Sequence, residues 1–406
     1  IGNPPVPLKQ GLDGLVAFNV GANGDATRIF GNQADVRRLD YLRHPLTLVR
    51  AALGSGATLA NSRTQGTERL VDITIGDLPP LTLAIDATTK LPARILQMTD
   101  SATLGDTLVA RQFRDYRSVN GLQLPTRLTS WTDGRESGDI RIDRVTVDGD
   151  VGDLRAPAAV ASAQPPAGDG APRTFPNDTQ EIAKGVWFVT GTTHHSLIVE
   201  FSDHLMVIEA PNSERVAAVW AKARELRPNK PITTLLVTHH HGDHTAGVRD
   251  AVARGVTEIV AHESNVTYLN DVLQRPHTIN PDMLAKQPRT AKITSLGDTG
   301  VVRDGTMAIT VYHLLDNSHA DSNVLIYFPE GRILTQADVY MPRDARHILP
   351  GEPRGHAPWN RNVMSNIEYR KLQVDYMAPL HGDYVPWSKF VEDTITMTQY
   401  MPGEAP

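Results

Sequence analysis

No cysteine occurs anywhere in the 406 residues. Disulfides, thiolate metal ligands and a cysteine nucleophile are therefore excluded together. No run of lysine and arginine is present and the net charge is −6, so the basic stripe that nucleic-acid binding needs is missing. No apolar stretch approaches the ~20 residues that cross a bilayer as a helix. The chain also lacks the Gly-x-Ser-x-Gly elbow of serine hydrolases and a Gly-x-x-x-x-Gly-Lys phosphate loop. What is present is the composition of an ordinary globular protein, 40% hydrophobic and 21% charged, with length enough for more than one domain. The first residue is Ile1 rather than Met, as after removal of a secretion signal or in a trimmed chain. The expectation is a periplasmic or secreted protein, with a cytoplasmic one as the alternative.

Histidine is unevenly spread. Of 15 histidines only His44 precedes residue 190, and four fall in the run Thr238-His239-His240-His241-Gly242-Asp243-His244. That run follows Ile232 to Val237, a short β-branched apolar segment opened by Pro231, which reads as a buried strand. The histidines then occupy the loop at the strand's C-terminal end, where open α/β folds place their sites. In extended backbone His239 and His241 point the same way and His240 the other, which makes His240 a bystander. Asp243 and His244 follow a turn at Gly242 and face a second position. Neutral imidazole with carboxylate suits zinc or iron. A surface cluster or a tag lacks both the Gly-Asp interruption and the preceding core strand.

The first 155 residues carry the alternation and turn chemistry of an antiparallel β domain. Strands are predicted at 71–75, 81–85, 93–98, 107–116, 126–132 and 139–147, after one helix over 35–53, and together they read as a curved sheet or half-barrel. Residues 156–178, rich in Pro, Ala and Gly, read as a linker. From 179 to 406 strands and helices alternate and then strands run in series. Helices are predicted at 214–226, 245–254, 361–374 and 386–398, outside two sheets packed face to face.

Further candidates stand at element ends in the C-terminal part: Glu209 after the strand ending at Ile208, His319 in a polar loop, Asp338 after Arg332 to Ala337, and His381 after Met377 to Leu380. Each alone reads more often as a solvated loop residue. Taken in order, His239, His241, Asp243, His244, His319, Asp338 and His381 resemble the metallo-β-lactamase superfamily, with its His-x-His-x-Asp-His loop, downstream His, Asp after a strand and final His. The resemblance covers about residue 179 to the C-terminus. It implies an αβ/βα sandwich, so the whole chain is read as α+β with an antiparallel, half-barrel-like domain in front. It also implies two divalent metal ions, zinc before others. His239, His241 and His319 would hold one, Asp243, His244 and His381 the other, and Asp338 would bridge them.

Such a pair, ~3.5–4 Å apart, shares a hydroxide that attacks a carbonyl or phosphoryl centre. Asp243 would also guide that nucleophile. The function implied is hydrolysis of an ester, lactone or amide-like bond in a small molecule. The alternatives are a mononuclear iron dioxygenase on the same scaffold, against which the intact second ligand set argues, and a phosphodiesterase.

Two features depart from parts of that family. Glu209 stands where the family usually has Asp bracing the metal loop. The β-lactam-hydrolysing zinc members generally lack the bridging Asp, and one group uses Cys, whereas this chain has Asp338 and no Cys. It therefore resembles the branch of lactonases, thioesterases and phosphodiesterases more than the resistance enzymes. His194 and His195 precede a strand near the expected mouth. One reading gives them substrate contact or proton transfer, and the other a half-buried ring with a backbone hydrogen bond. His262 reads as structural support. Tyr340, Arg343, Arg346 and His347 are candidates for the pocket lining, and the Pro- and Gly-rich stretch 344–360 reads as a lid. The N-terminal domain loosely resembles the half-barrels of bacterial lipoprotein carriers; a role in homodimer formation or in shielding the cleft is the plainer expectation.

Overall fold

Turn residues and short apolar runs fold the first part of the chain into two antiparallel sheets. The computed structural model describes residues 9–165, 177–342 and 357–399. Its two units are Ile1–Asp100 with Asp106–Pro172, and Ser101–Gly105 with Arg173–Pro406. In the first, β1 (Lys9–Asp13), β2 (Val16–Val20) and β3 (Ala26–Ile29) form a small antiparallel sheet. Helices α1 (Gly31–Leu42) and α2 (Pro45–Ala52) follow. Then β4 (Ala57–Gln65), β5 (Glu68–Ile75), β6 (Leu81–Asp86), β7 (Pro92–Ser101), β8 (Gly105–Val119), β9 (Leu122–Thr132) and β10 (Arg135–Arg141) run as a seven-stranded meander. One face of it buries Ile73, Leu81, Leu83, Ile95 and Phe113 with Leu39, Leu42 and Leu48 of the two helices. A single turn, α3 (Ala158–Ala161), lies near the end of this unit.

The helix expected over 35–53 is two helices. Pro45 has no N–H and confines His44 to extended backbone (φ −100°, ψ 138°), so the chain turns and restarts with Pro at the first helical position. The strand expected to reach Val147 ends at Arg141. The sheet β1–β3 and strand β4 went unread; β4 is almost wholly exposed and so carries no alternating signal.

In the second unit the order is β11 (Thr179–Ala183), β12 (Val186–Val189), β13 (Ser196–Glu200), β14 (Leu205–Ile208), α4 (Ser213–Leu226), β15 (Ile232–Leu236), α5 (Gly242–Thr245), α6 (Val248–Ala253), β16 (Glu258–His262), α7 (Val266–Gln274), α8 (Met283–Lys286) and β17 (Lys292–Leu296). These strands make one sheet, antiparallel from β11 to β14 and parallel from β14 to β17. A second sheet holds β18 (Thr299–Arg303), β19 (Ala308–His313), β20 (Val324–Phe328), β21 (Ile333–Thr335), β22 (Tyr376–Met377) and β23 (Val385–Pro386). Helix α9 (Ala357–Tyr369) precedes β22, and α10 (Trp387–Gln399) follows β23.

Strand alternation sorts the side chains into layers. Trp187, Val189, Ile198, Val207 and Leu235 pack on Val216, Val219 and Trp220 of α4 and on Val248 and Val252 of α6. Their neighbours Val186, Phe188, Leu197, Val199 and Ile208 face Ile309, Val311, Val324 and Ile326 of the second sheet. Leu325, Leu334 and Met377 on its far side pack on Val363, Ile367 and Phe390 of α9 and α10. The order is helix, sheet, sheet, helix, the sandwich expected from the sequence. Among the described residues no helix is long and apolar enough to cross a membrane.

Two helices differ from expectation in this unit. The one predicted over 245–254 is interrupted, because the Gly247 N–H donates to Ala210 O at 2.9 Å instead of continuing the helix. A Cβ at Gly247 would stand 2.8 Å from that oxygen and 2.7 Å from Val216, so only glycine allows the approach. The helix predicted over 361–374 ends at Tyr369, with Lys371 in the left-handed region (φ 55°) just beyond it. Residues 263–290 contain α7 and α8, which bury Leu269, Val272 and Leu284.

Candidate metal centre

Adjacent parallel strands bring the centre together. β14 and β15 pair with Ile208 opposite Leu236, so the residues that follow each strand emerge side by side. Glu209 leaves β14 with φ 76°, in the left-handed region, and Asp338, beyond β21, does the same with φ 68°. Non-glycine residues hold such backbone only where the surroundings impose it, and such positions cluster at functional sites. His241 opens α5, which places Asp243 and His244 on its single turn. The His319 loop is shaped by Asn317, whose Oδ1 accepts the N–H groups of His319 and Ala320. His381 is fixed on the other side, where its Nδ1 meets Thr193 O at 2.7 Å.

Ligand atoms converge in two groups: His239, His241, His319 and Asp338, and His194, Asp243, His244 and His381. Asp338 links them. Its Oδ2 lies 2.9 Å from His319 Nε2 and 3.4 Å from His239 Nε2, and its Oδ1 lies 2.8 Å from His381 Nε2. His244 Nε2 is 3.1 Å from both oxygens. Burial opposes charge on this carboxylate, but its contacts with the four surrounding imidazoles outweigh it and hold Asp338 far below the usual carboxylate range.

Proton placement shows what this donor set fits. Thr193 O can only accept, so His381 carries its proton on Nδ1 and turns a bare Nε2 inward. His244 Nδ1 donates to Glu209 Oε2 at 2.5 Å. Thr238 Oγ1 donates to Glu209 Oε1 at 2.6 Å and is left to accept from His239 Nδ1 at 3.1 Å. The inward nitrogens then face one another: His239 and His319 at 3.2 Å, His244 and His381 at 3.4 Å. Four imidazole Nε2 atoms gathered around one carboxylate are ligand atoms for a cation, so these residues fit divalent metal ions of the kind imidazole and carboxylate hold.

Burial, reinforced by His239 and His319, pushes His241 down to about 4, leaving it in the neutral, ligating form at neutral pH. His244 behaves differently. Burial disfavours its charge, yet Glu209 and Asp338 prevail and push it up to about 10. A metal ion binding there displaces that proton.

The two readings of the His194–His195 pair divide between its members. His194 Nε2 is 3.2 Å from Asp243 Oδ2, and its ring centroid is 4.1 Å from that of His381. Burial and His381 lower its pKa. His195 is buried against Phe188, accepts the Gly191 N–H at 2.9 Å and lies outside both groups. His240 turns away to Ser322 Oγ at 2.9 Å. Tyr340 does not line a pocket. It is 1% exposed in the core beneath α10, with its hydroxyl donating to Asp393. Arg343, Arg346, His347 and most of the expected lid lie outside the described residues. Sequence reasoning missed Thr238, an ordinary strand-end threonine, and Trp359, whose indole N–H donates to Ser318 and whose ring meets that of His319 at 5.0 Å.

Residues 189–381 match the family model of the metallo-beta-lactamase superfamily, a span that contains all seven proposed ligands and ends on His381. A linear primary-alkylsulfatase of Pseudomonas sp. is 27% identical over 50% of this chain and 44% of its own length. The alpha subunit of a 2,4-dinitroanisole O-demethylase of Nocardioides sp. is 24% identical over 43% of this chain and 50% of its own. The chain thus spans about half the length of these curated relatives. Among solved structures, the DIM-1 metallo-beta-lactamase aligns over 56% of this chain and 100% of its own, at 16% identity and a TM-score of 0.41. The matched span, the sandwich around it and the paired His and Asp groups at its strand ends lead to one assignment: the domain built from residues 189–381 belongs to the metallo-beta-lactamase superfamily.

Proposed function

We propose that this protein is a metal-dependent hydrolase that holds two divalent ions, zinc before others, and cleaves an ester-type bond in a small molecule. Asp338 carries the reading: one buried carboxylate has an oxygen against each ligand group, as a shared ligand of two ions requires. Such ions supply electrophilic pull and an activated water at neutral pH. His244 and His239 are locked with Nε2 inward by Glu209, directly and through Thr238. Asp243, with 58% of its side chain exposed, stands at the open side of the centre beside His194. His194, kept neutral by burial and by His381, takes a proton there and returns it to the departing group. The alkylsulfatase relative makes sulfate esters the first substrate class to try, ahead of carboxylic esters and lactones.

The test joins metal analysis to a turnover panel of sulfate esters, carboxylic esters, lactones, phosphodiesters and β-lactams. About two equivalents of metal at the seven-residue centre, lost in His241→Ala, and hydrolysis of one ester class are expected. His241→Ala abolishes turnover while circular dichroism stays unchanged. One equivalent of iron with oxygen uptake overturns the reading in favour of a dioxygenase.

A further inference from the structure

We infer that His262, Asp298 and His313 form a further cation site, separate from the seven-residue centre and independent of the hydrolase reading. His262 closes β16 and is 5% exposed. Its Nδ1 meets Ser264 Oγ at 2.8 Å, while its Nε2 is buried without a hydrogen-bond partner. His313 closes β19 and stacks on it, with ring centroids 4.0 Å apart and planes 22° from parallel. The backbone of His313 bonds to Asp298 O at 3.0 Å, which fixes the spacing of these two residues.

Hydrogen-bond chemistry leaves the cluster short of a positive charge. His313 Nε2 lies 2.8 Å from Asp321 O, a carbonyl that can only accept, so that nitrogen carries the proton. Nδ1 of the neutral ring then turns a lone pair to Asp298 Oδ1 at 3.3 Å, acceptor against acceptor. His262 Nδ1 is 2.8 Å from Ser264 Oγ and 3.4 Å from the Ser264 nitrogen, whose N–H it accepts, so its hydrogen-bond partners lie on that side and the buried Nε2 is the nitrogen left for a cation. Ligand atoms from the three residues lie within 4.8 Å of one another. Burial disfavours a proton on His262, which favours the ligating form. Two neutral imidazoles and a carboxylate match zinc, nickel or copper rather than calcium or magnesium. Water would complete the coordination on the side of Asp298, whose side chain is 80% exposed and opens the site to solvent. Asp321 lies two residues from His319, so an ion on His313 also bears on the loop that supplies a ligand to the main centre.

Zinc titration of the chelator-treated full chain, followed by native mass spectrometry, tests this. Asp298→Asn changes an exposed side chain and leaves the fold intact; His262→Gln is the second variant. Both are expected to take up one equivalent fewer than wild type, or to hold it at least tenfold more weakly. Equal uptake by all three overturns the inference. Equivalents lost in His241→Ala belong to the seven-residue centre, so each reading fails by itself.

Discussion

Glu209 orients one imidazole in each ligand group. Its Oε2 accepts from His244 Nδ1 at 2.5 Å, and its Oε1 reaches His239 through the Thr238 hydroxyl. It is 1% exposed, so no water replaces these contacts. Burial opposes its charge, but His244 and His239 more than compensate and keep its carboxyl ionised.

Glu209→Gln is therefore expected to weaken metal binding at both groups by about 10- to 100-fold. The amide keeps one acceptor oxygen, so it can serve either His244 or the Thr238 pair but not both. Competition with a fluorescent chelator measures the loss. Loss at one group alone would show that the Thr238 relay does not set the His239 tautomer.

His194→Gln separates proton transfer from ligation. As a proton carrier, His194 contributes to turnover and not to metal content, so the variant is expected to lose about 100-fold or more in kcat with its metal retained. Its approach to Asp243 at 3.2 Å also admits ligation. In that case metal content falls in step with activity.

Acid should destabilise the metal-free protein through His195. Burial first, then Arg215, pushes this ring down to about 4 from 6.5. The unfolded chain therefore takes up a proton that the folded chain refuses. The contribution to stability is present above 6.5 and is lost as pH falls through the window, at about 1.4 kcal/mol per pH unit. Chemical denaturation across the window is expected to show at least this slope, because His241 is lowered over the same range, and His195→Gln to make it shallower by one proton. His244 acts in another window and with opposite sign. Raised to about 10, it stabilises below 6.5 and loses that contribution as pH rises through about 10.

Gly247→Val tests the packing behind the metal loop. Its Cβ would meet Val216, Ala210 O and Asn212 O at 2.7, 2.8 and 2.9 Å. Two of these are backbone atoms with no rotamer to yield. Overpacking of this kind costs about 1–3 kcal/mol, and thermal unfolding of the metal-free variant reads it. Because α5 and α6 flank this glycine, metal affinity should fall as well.

How much was legible beforehand follows from where each residue sits. The strand before the His239 loop was evident as an apolar run, whereas His319, Asp338 and His381 became proposed ligands only through the order they share with the family the chain resembles. The helix–sheet–sheet–helix order was legible because both sheets carry buried strands. His194 and His195 are neighbours at a strand start, and which ring faces the centre depends on Gly191 and Phe188, whose positions no local pattern encodes. Trp359 reaches His319 only because α9 packs on the second sheet. Stacking of His262 on His313 joins two strands of different sheets, and their separation in sequence hides it.

The left-handed backbone at Glu209 and Asp338 bears on how this protein would respond to engineering. Each such residue costs on the order of 1 kcal/mol that glycine would avoid. Screening variants for heat resistance alone would thus enrich glycine at both positions, and the hardiest survivors would have discarded the carboxylates that gather the imidazoles.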